Sequence, residues 1–324
     1  MNGGAVASAE EKHRSGLNPE EYRKLTGFEG DWRDSWWADD FLAVMVTRWR
    51  VEAARKVLDV GCGVGHWGQR LMRFLPDAHL TGIDAEPTWM DEARGRASRL
   101  GVDATYSVAN AASLPFDDDS FDLVTCQTLL MHVPDPVAVL REMHRVARPG
   151  ATVVAAEPNN FANVAARCMA LPEAPFSVSR DLLELHHTLT AGKSALGEGD
   201  QSVGEKLPHY FEKAGLGAVQ VSMNPQTAPS LPPYGPTRGG RDIAMLREWT
   251  AEGRLMEMGG TVENARRMFL AGGGTESRFE ELLAVAFKVQ ERTVAAFDAS
   301  EYVSSGGHLH YLVSGLKAAA SAPR

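Results

Sequence analysis

Cysteine is scarce in this chain: Cys62, Cys126 and Cys168 are the only three in 324 residues, and they lie far apart. No C-x-x-C pair marks a zinc site or redox couple, and an odd, scattered set implies no disulfide framework. Small buried hydrophobes in a reducing compartment are the expectation. Positive charge is thin as well. Lysine and arginine number 33 against 42 acids, a formal net charge of -9, and the basic residues are interspersed with acids. That distribution argues against a broad phosphate-binding surface, and with it nucleic acid as a partner. No apolar run approaches the ~20 residues of a membrane-spanning helix. The opening stretch Met1–Gly16 lacks the apolar centre of a signal peptide. A cytoplasmic protein with no membrane partner is expected. Internal repeats and low-complexity blocks are absent too.

What is present begins with aromatics. Pro19–Arg50 reads as helical and carries Tyr22, Phe28, Trp32, Trp36, Trp37, Phe41 and Trp49. A regular alternation follows. Short apolar runs at Lys56–Val60, Ala78–Asp84, Ala104–Val108, Phe121–Gln127 and Ala151–Ala156 read as strands. Between them His66–Leu75, Thr88–Leu100 and Val137–Ala147 have helical spacing, stopped by Pro76, Gly101 and Pro149-Gly150 in turn. Strands alternating with helices of this length form right-handed βαβ units on a parallel sheet. The expected fold is α/β, a doubly wound, mostly parallel sheet of seven strands.

Beyond Glu157 the pattern loosens. Arg180–Leu189 and Glu205–Ala214 read as helices and Ala218–Met223 as a strand; Pro225–Gly240 is rich in proline and glycine. Arg241–Met258, Val262–Ala271 and Glu276–Ala299 follow as helices, and His308–Leu316 alternates as a last strand. That strand is expected to join Ala218–Met223 at the sheet edge, which makes the intervening helices an insertion. The expected organisation is a tail and helical lid over 1–50, a binding core over 51–224, a helical substrate cover over 225–305, and the last strand and tail over 306–324.

The first strand runs into Asp59-Val60-Gly61-Cys62-Gly63-Val64-Gly65. Glycines there let backbone approach a ligand where side chains would clash, and the next helix offers unpaired N–H groups at its start. A dinucleotide dehydrogenase has such a turn too, but its G-x-G-x-x-G pattern needs glycine at His66, and no second nucleotide-binding half follows. Asp84 ends the second strand, where a carboxylate can accept both ribose hydroxyls. From about Arg55 to Glu157 the chain resembles the class I S-adenosylmethionine-dependent methyltransferases. The resemblance implies that Gly61, Gly63 and Gly65 surround the amino-acid part of the cofactor, that Asp59 is the acidic position of that motif, and that Asp84 is the ribose acid. It extends to Ala109-Asn110-Ala111, where the family has Gly-Asp-Ala. Asn110 stands in the acidic place, and its carbonyl can still accept from an adenine amino group. Gln127 and His132 would border the cofactor. The cofactor-binding set is therefore Asp59, Gly61, Cys62, Gly63, Asp84, Ala85, Asn110, Ala111, Gln127 and His132.

His132 is also the candidate catalytic residue, as a base toward the acceptor, with a pocket-lining role open beside it. Glu157 either binds substrate or caps a loop. The Trp32, Trp36 and Trp37 cluster either closes a lid or packs on the sheet. The insertion's Tyr234, Met256, Met258, Met268 and Phe269 either cover a greasy substrate or form helical core. His186-His187 reads as a solvated pair and His308/His310 as a plain edge-strand face. No metal is expected, because the fourth strand ends in Cys126-Gln127-Thr128 rather than in carboxylates. The expected activity is methyl transfer from S-adenosylmethionine to a small organic molecule, with a homodimer as an expected assembly. A protein or RNA methyltransferase, or a binding protein without transfer activity, remains as the alternative.

Overall fold

All seven residues of β4 (Phe121–Gln127) are buried, as a strand covered on both faces requires. The computed structural model describes residues 23, 32–169, 174–227, 229–235, 238–255, 261–306 and 308–319. Around β4 stand β1 (Lys56–Val60), β2 (His79–Asp84), β3 (Ala104–Val108), β5 (Ala147–Pro158), β6 (Gly217–Met223) and β7 (His310–Leu316), in the order β3-β2-β1-β4-β5-β7-β6. The first five strands are parallel, and β7 runs antiparallel between β5 and β6. The last strand therefore joins its expected partner, but β6 rather than β7 forms the edge. The order reverses between β1 and β4, and ligands bind outside the carboxyl ends of strands at such a switch point.

The connecting helices are α1 (Asp39–Trp49), α2 (His66–Met72), α3 (Met90–Leu100), α4 (Pro136–Val146), α5 (Asn160–Met169), α6 (Phe176–Ala195) and α7 (Leu207–Lys213). After β6 come α8 (Arg238–Ala251), α9 (Val262–Ala271) and α10 (Glu276–Asp298). Local chemistry sets their ends. Asp135 caps α4 by accepting from the Ala138 N–H at 3.0 Å, with Pro136 in the first turn. Thr261 and Thr275 cap α9 and α10 in the same way. Gly101 closes α3 in the left-handed conformation, φ 67°.

One face of the sheet packs on α1, α2 and α3 through Trp37, Trp49, Trp67, Leu71, Val154, Ala156 and Leu312. The other packs on α4 and α7 through Leu58, Val124, Leu140, Val153 and Phe211. A third cluster lies off the sheet. Leu182, Leu185 and Leu189 of α6 meet Met268, Phe269, Phe279 and Leu282 of α9 and α10. The helical layer thus draws on the segment between β5 and α7 as well as on that between β6 and β7. Helix α5 has no counterpart in the sequence reading, and α8 ends at Ala251, short of the helix expected to Met258. Met256, Met258, Tyr22, Phe28 and the side chain of Trp32 lie outside the described residues.

Helices α6 and α9 touch backbone to backbone: a Cβ on Gly192 would run into the Met268 carbonyl, and one on Gly272 into the Thr188 carbonyl. Gly192→Ala is therefore expected to destabilise the fold by about 1–3 kcal/mol in urea unfolding. Gly95→Ala, on the exposed side of α3 with nothing within 4 Å, should be neutral or stabilising by up to about 1 kcal/mol. Equal effects of the two would refute the close contact.

Candidate active site at the carboxyl edge of the sheet

The turn after β1 bends through Gly61, Gly63 and Gly65, with φ of 70°, 52° and 87°. Only glycine occupies this region without strain, and at Gly61 a side chain would also strike Leu129, 2.7 Å from the Cβ position. The turn is held from the neighbouring strand. Asp84 Oδ2 accepts from the Gly63 N–H at 2.9 Å, and Oδ1 accepts from the Glu86 N–H at 3.0 Å. Burial raises the Asp84 pKa against these bonds. Each oxygen keeps a lone pair for a further donor. Ala85 follows at the mouth of the same turn.

Asp59 lies beneath. Its Oδ2 accepts from the Gly68 N–H at 3.0 Å, while Oδ1 is buried with no partner among the described residues. Desolvation pushes this carboxyl up to about 8. Cys62 is buried, its thiol pushed up by desolvation and donating to the Gly63 carbonyl, so it is no nucleophile. Asn110 and Ala111 stand beyond β3. The Asn110 carbonyl is engaged locally, accepting from the Ala112 N–H at 2.9 Å, which fixes the side chain and leaves one lone pair outward. Gln127 ends β4 on the same sheet face as Asp59, 7% exposed, its Nε2 without a partner among the described residues.

Glu157 caps a loop. Fully buried at the end of β5, its Oε1 accepts from the N–H groups of Leu129 and Leu130 at 2.8 and 2.7 Å, and Oε2 faces the Met131 N–H at 3.4 Å. It thereby orders the 3-10 turn Leu130–His132 that presents His132, which is exposed. Burial drives the Glu157 pKa up. Lys193 reaches in from α6 and donates to the Met131 carbonyl at 3.3 Å; burial drives its pKa down. A lysine that far along the chain carries no local signal of this contact.

The N-terminal aromatics meet the same edge. The 3-10 turn Trp32–Trp36 is gripped by Asp34, which takes two bonds of 2.7 Å from Arg96 and faces His66 Nδ1 at 3.1 Å. Burial opposes ionisation of Asp34, but the His66 and Arg96 bonds hold its pKa below the usual value. Arg70 donates to the Trp37 carbonyl at 3.1 Å, and Asn224 to that of Trp36 at 2.7 Å. The Trp37 ring lies 4.8 Å from Trp67, whose Nε1 donates to Thr125 at 2.8 Å. Trp36 lies 5.4 Å from the His310 ring. His310 is buried within an inner strand rather than on an edge face, because β6 covers β7. His186 corrects the other histidine reading: it is buried, 7% exposed, while His187 alone is solvated.

Residues 52–215, just over half of the chain, match the family described as a methyltransferase domain. The chain belongs to the class I S-adenosylmethionine-dependent methyltransferases. This methyltransferase is 36% identical over 115 residues to a demethylmenaquinone methyltransferase of Listeria monocytogenes, covering 34% of this chain and 48% of that one. It is 31% identical over 185 residues to the methyltransferase GfsG of Streptomyces halstedii, covering 56% and 60%. The methyltransferase thus spans about half the length of the curated relatives it matches. Among solved structures it is similar to the YcgJ protein of Bacillus subtilis at 20% identity, with a TM-score of 0.47 over 86% of this chain and 98% of that one. It is also similar to phosphoethanolamine N-methyltransferase 2 of Haemonchus contortus in complex with S-adenosyl-L-methionine, at 15% identity, with a TM-score of 0.46 over 94% and 57%.

Asp59 gives the folded methyltransferase a pH dependence whose sign follows from its raised pKa. Between about 4 and about 8 the folded chain keeps a proton that the unfolded chain releases, so this contribution is full at low pH and is lost as pH climbs toward 8. Urea unfolding of the ligand-free protein at pH 5 and pH 8 should show Asp59→Asn losing less stability than the native chain, by at most about 1.4 kcal/mol per pH unit. Parallel pH dependences would remove the raised pKa.

Proposed function

We propose that this protein transfers the methyl group of S-adenosylmethionine to a small organic acceptor by in-line attack, without a metal ion. The observation that carries this reading is convergence. The glycine turn, Asp84, and Asp59 Oδ1, which has no partner among the described residues, stand together at the carboxyl ends of β1 and β2. A buried carboxylate oxygen with no donor is costly unless a ligand satisfies it, and a cationic amino group is the ligand such an atom suits. The glycine backbone leaves room for the amino-acid portion, Asp84 suits a ribose, and Asn110 and Ala111 suit an adenine.

Bound there, the cofactor supplies an electrophilic methyl on a sulfonium. The chain's part is to align the acceptor and exclude water. Orientation of two reactants is worth roughly 7–11 kcal/mol. The Asp34 latch and the Trp36–Trp37 pair suit the N-terminal segment to the role of lid. The layer of α5, α6, α8, α9 and α10 suits that of substrate cover, fastened to the core at Lys193. Metal independence is supported by the donor set, since β4 ends in a glutamine and the oxygens of Glu157 are engaged by backbone N–H groups. The overall acidity and the absence of a basic stripe favour a small acceptor over RNA. The demethylmenaquinone methyltransferase relative points the same way by name.

Two substitutions test the reading. Asp84→Ala should weaken S-adenosylhomocysteine binding about tenfold or more in calorimetry, with the loss of charge-assisted bonds to a ribose; an unchanged affinity sinks the ribose assignment. His132→Ala should leave that affinity within about twofold. If it abolishes turnover at the same time, His132 acts on the acceptor. If it weakens cofactor binding instead, His132 belongs to the cofactor pocket.

A further inference from the structure

Among the buried N–H donors on the α2 side of the sheet that have no partner among the described residues are Gln127 Nε2, at the end of β4, and Trp37 Nε1. The residues are 7% and 3% exposed. Strand register puts them in one neighbourhood. Gln127 and Thr125 point to the same face, and Thr125 takes the indole proton of Trp67, on which Trp37 packs. Gln127 is paired with Ala156, Ala156 with Leu312, and Pro158 with His310, whose ring lies 6.2 Å from Trp37. The side chains gathered here include flat aromatic rings, and the two donors in question are neutral. Leaving such donors buried and unpaired is costly, and an acceptor atom of a ligand removes that cost.

We propose that this corner is the acceptor subsite, and that it receives an anionic oxygen, a phenolate or enolate on a flat unsaturated skeleton, through Gln127 Nε2 and Trp37 Nε1. Gln127 then belongs to the acceptor rather than to the cofactor. Both donors are neutral, so they hold an oxyanion without neutralising the electron pair it must deliver. The acceptor arrives deprotonated, its proton already released to solvent. It forms the new bond to the methyl carbon at oxygen or at the conjugated carbon, and the carbon–sulfur bond breaks with its pair going to sulfur. The proposal rests on the methyl-transfer reading above. The chemistry excludes a quaternary or protonated amine from the corner, since two N–H dipoles would face a cation.

The probe is 4-nitrophenol, titrated at a pH where it is ionised into protein saturated with S-adenosylhomocysteine and followed by the phenolate absorbance. The native protein should bind it, and benzyltrimethylammonium should not compete. Gln127→Leu and Trp37→Phe should each weaken phenolate binding about tenfold, with S-adenosylhomocysteine affinity within about twofold of native. If Trp37→Phe does not fold, Gln127→Leu alone carries the test. Unchanged phenolate affinity in a folded variant, displacement by the ammonium, no phenolate binding at all, or a Gln127→Leu loss confined to the cofactor each overturn the proposal. Phenolate binding by native protein that has no affinity for S-adenosylhomocysteine would strike the cofactor reading and leave this subsite standing.

Discussion

The bond from the Gly63 N–H to Asp84 ties the end of β2 to the turn that leaves β1. Nearly everything at the site is placed relative to that join. The three left-handed glycines give the turn its shape, but nothing in glycine alone selects one shape among the many it tolerates. A carboxylate on the neighbouring strand does. The side chain proposed to meet a ribose thus also holds the glycine turn in shape. Asp59 repeats the device below, accepting from Gly68 with one oxygen while the other has no partner among the described residues.

Charge is handled differently around this join than on the surface. Asp59 and Glu157 are buried and pushed toward the protonated form, Lys193 is pushed toward the neutral one, and Asp34 is held ionised by Arg96 and His66. The only firmly ionised carboxylate among these four groups is the one that latches the N-terminal segment. Backbone N–H groups do the remaining work, three of them at Glu157.

From Lys56 to Pro158 the fold was legible because each local signal is complete. Strand runs end in turn residues, α3 stops at Gly101, and Asp59 and Asp84 fall at strand ends, although β5 begins at Ala147, ahead of the Pro149-Gly150 break read as the end of α4. Helix α5 was missed although Asn160–Met169 separates its polar and apolar residues well, because it starts within two residues of the end of β5 at Pro158. His310 was misread because alternation cannot tell an edge strand from one that a later-pairing neighbour covers. The Asp34 latch and Lys193 join residues 62 positions apart in each case, and only tertiary placement reveals them. Asn110 was singled out by its position alone, and the structure adds that its carbonyl is bonded to the Ala112 N–H.

The helical layer is assembled from two stretches of chain, one between β5 and α7 and one between β6 and β7, which meet in a single core of Leu182, Leu185, Leu189, Met268 and Phe279. Such a layer cannot be exchanged as a cassette. A chimera that imported only the later stretch from a relative would set foreign side chains against the native α6, whose Gly192 admits no methyl group beside Met268. The two insertions are thus constrained to drift as a pair, and any recombination that re-specifies what the layer covers has to carry both crossover points at once.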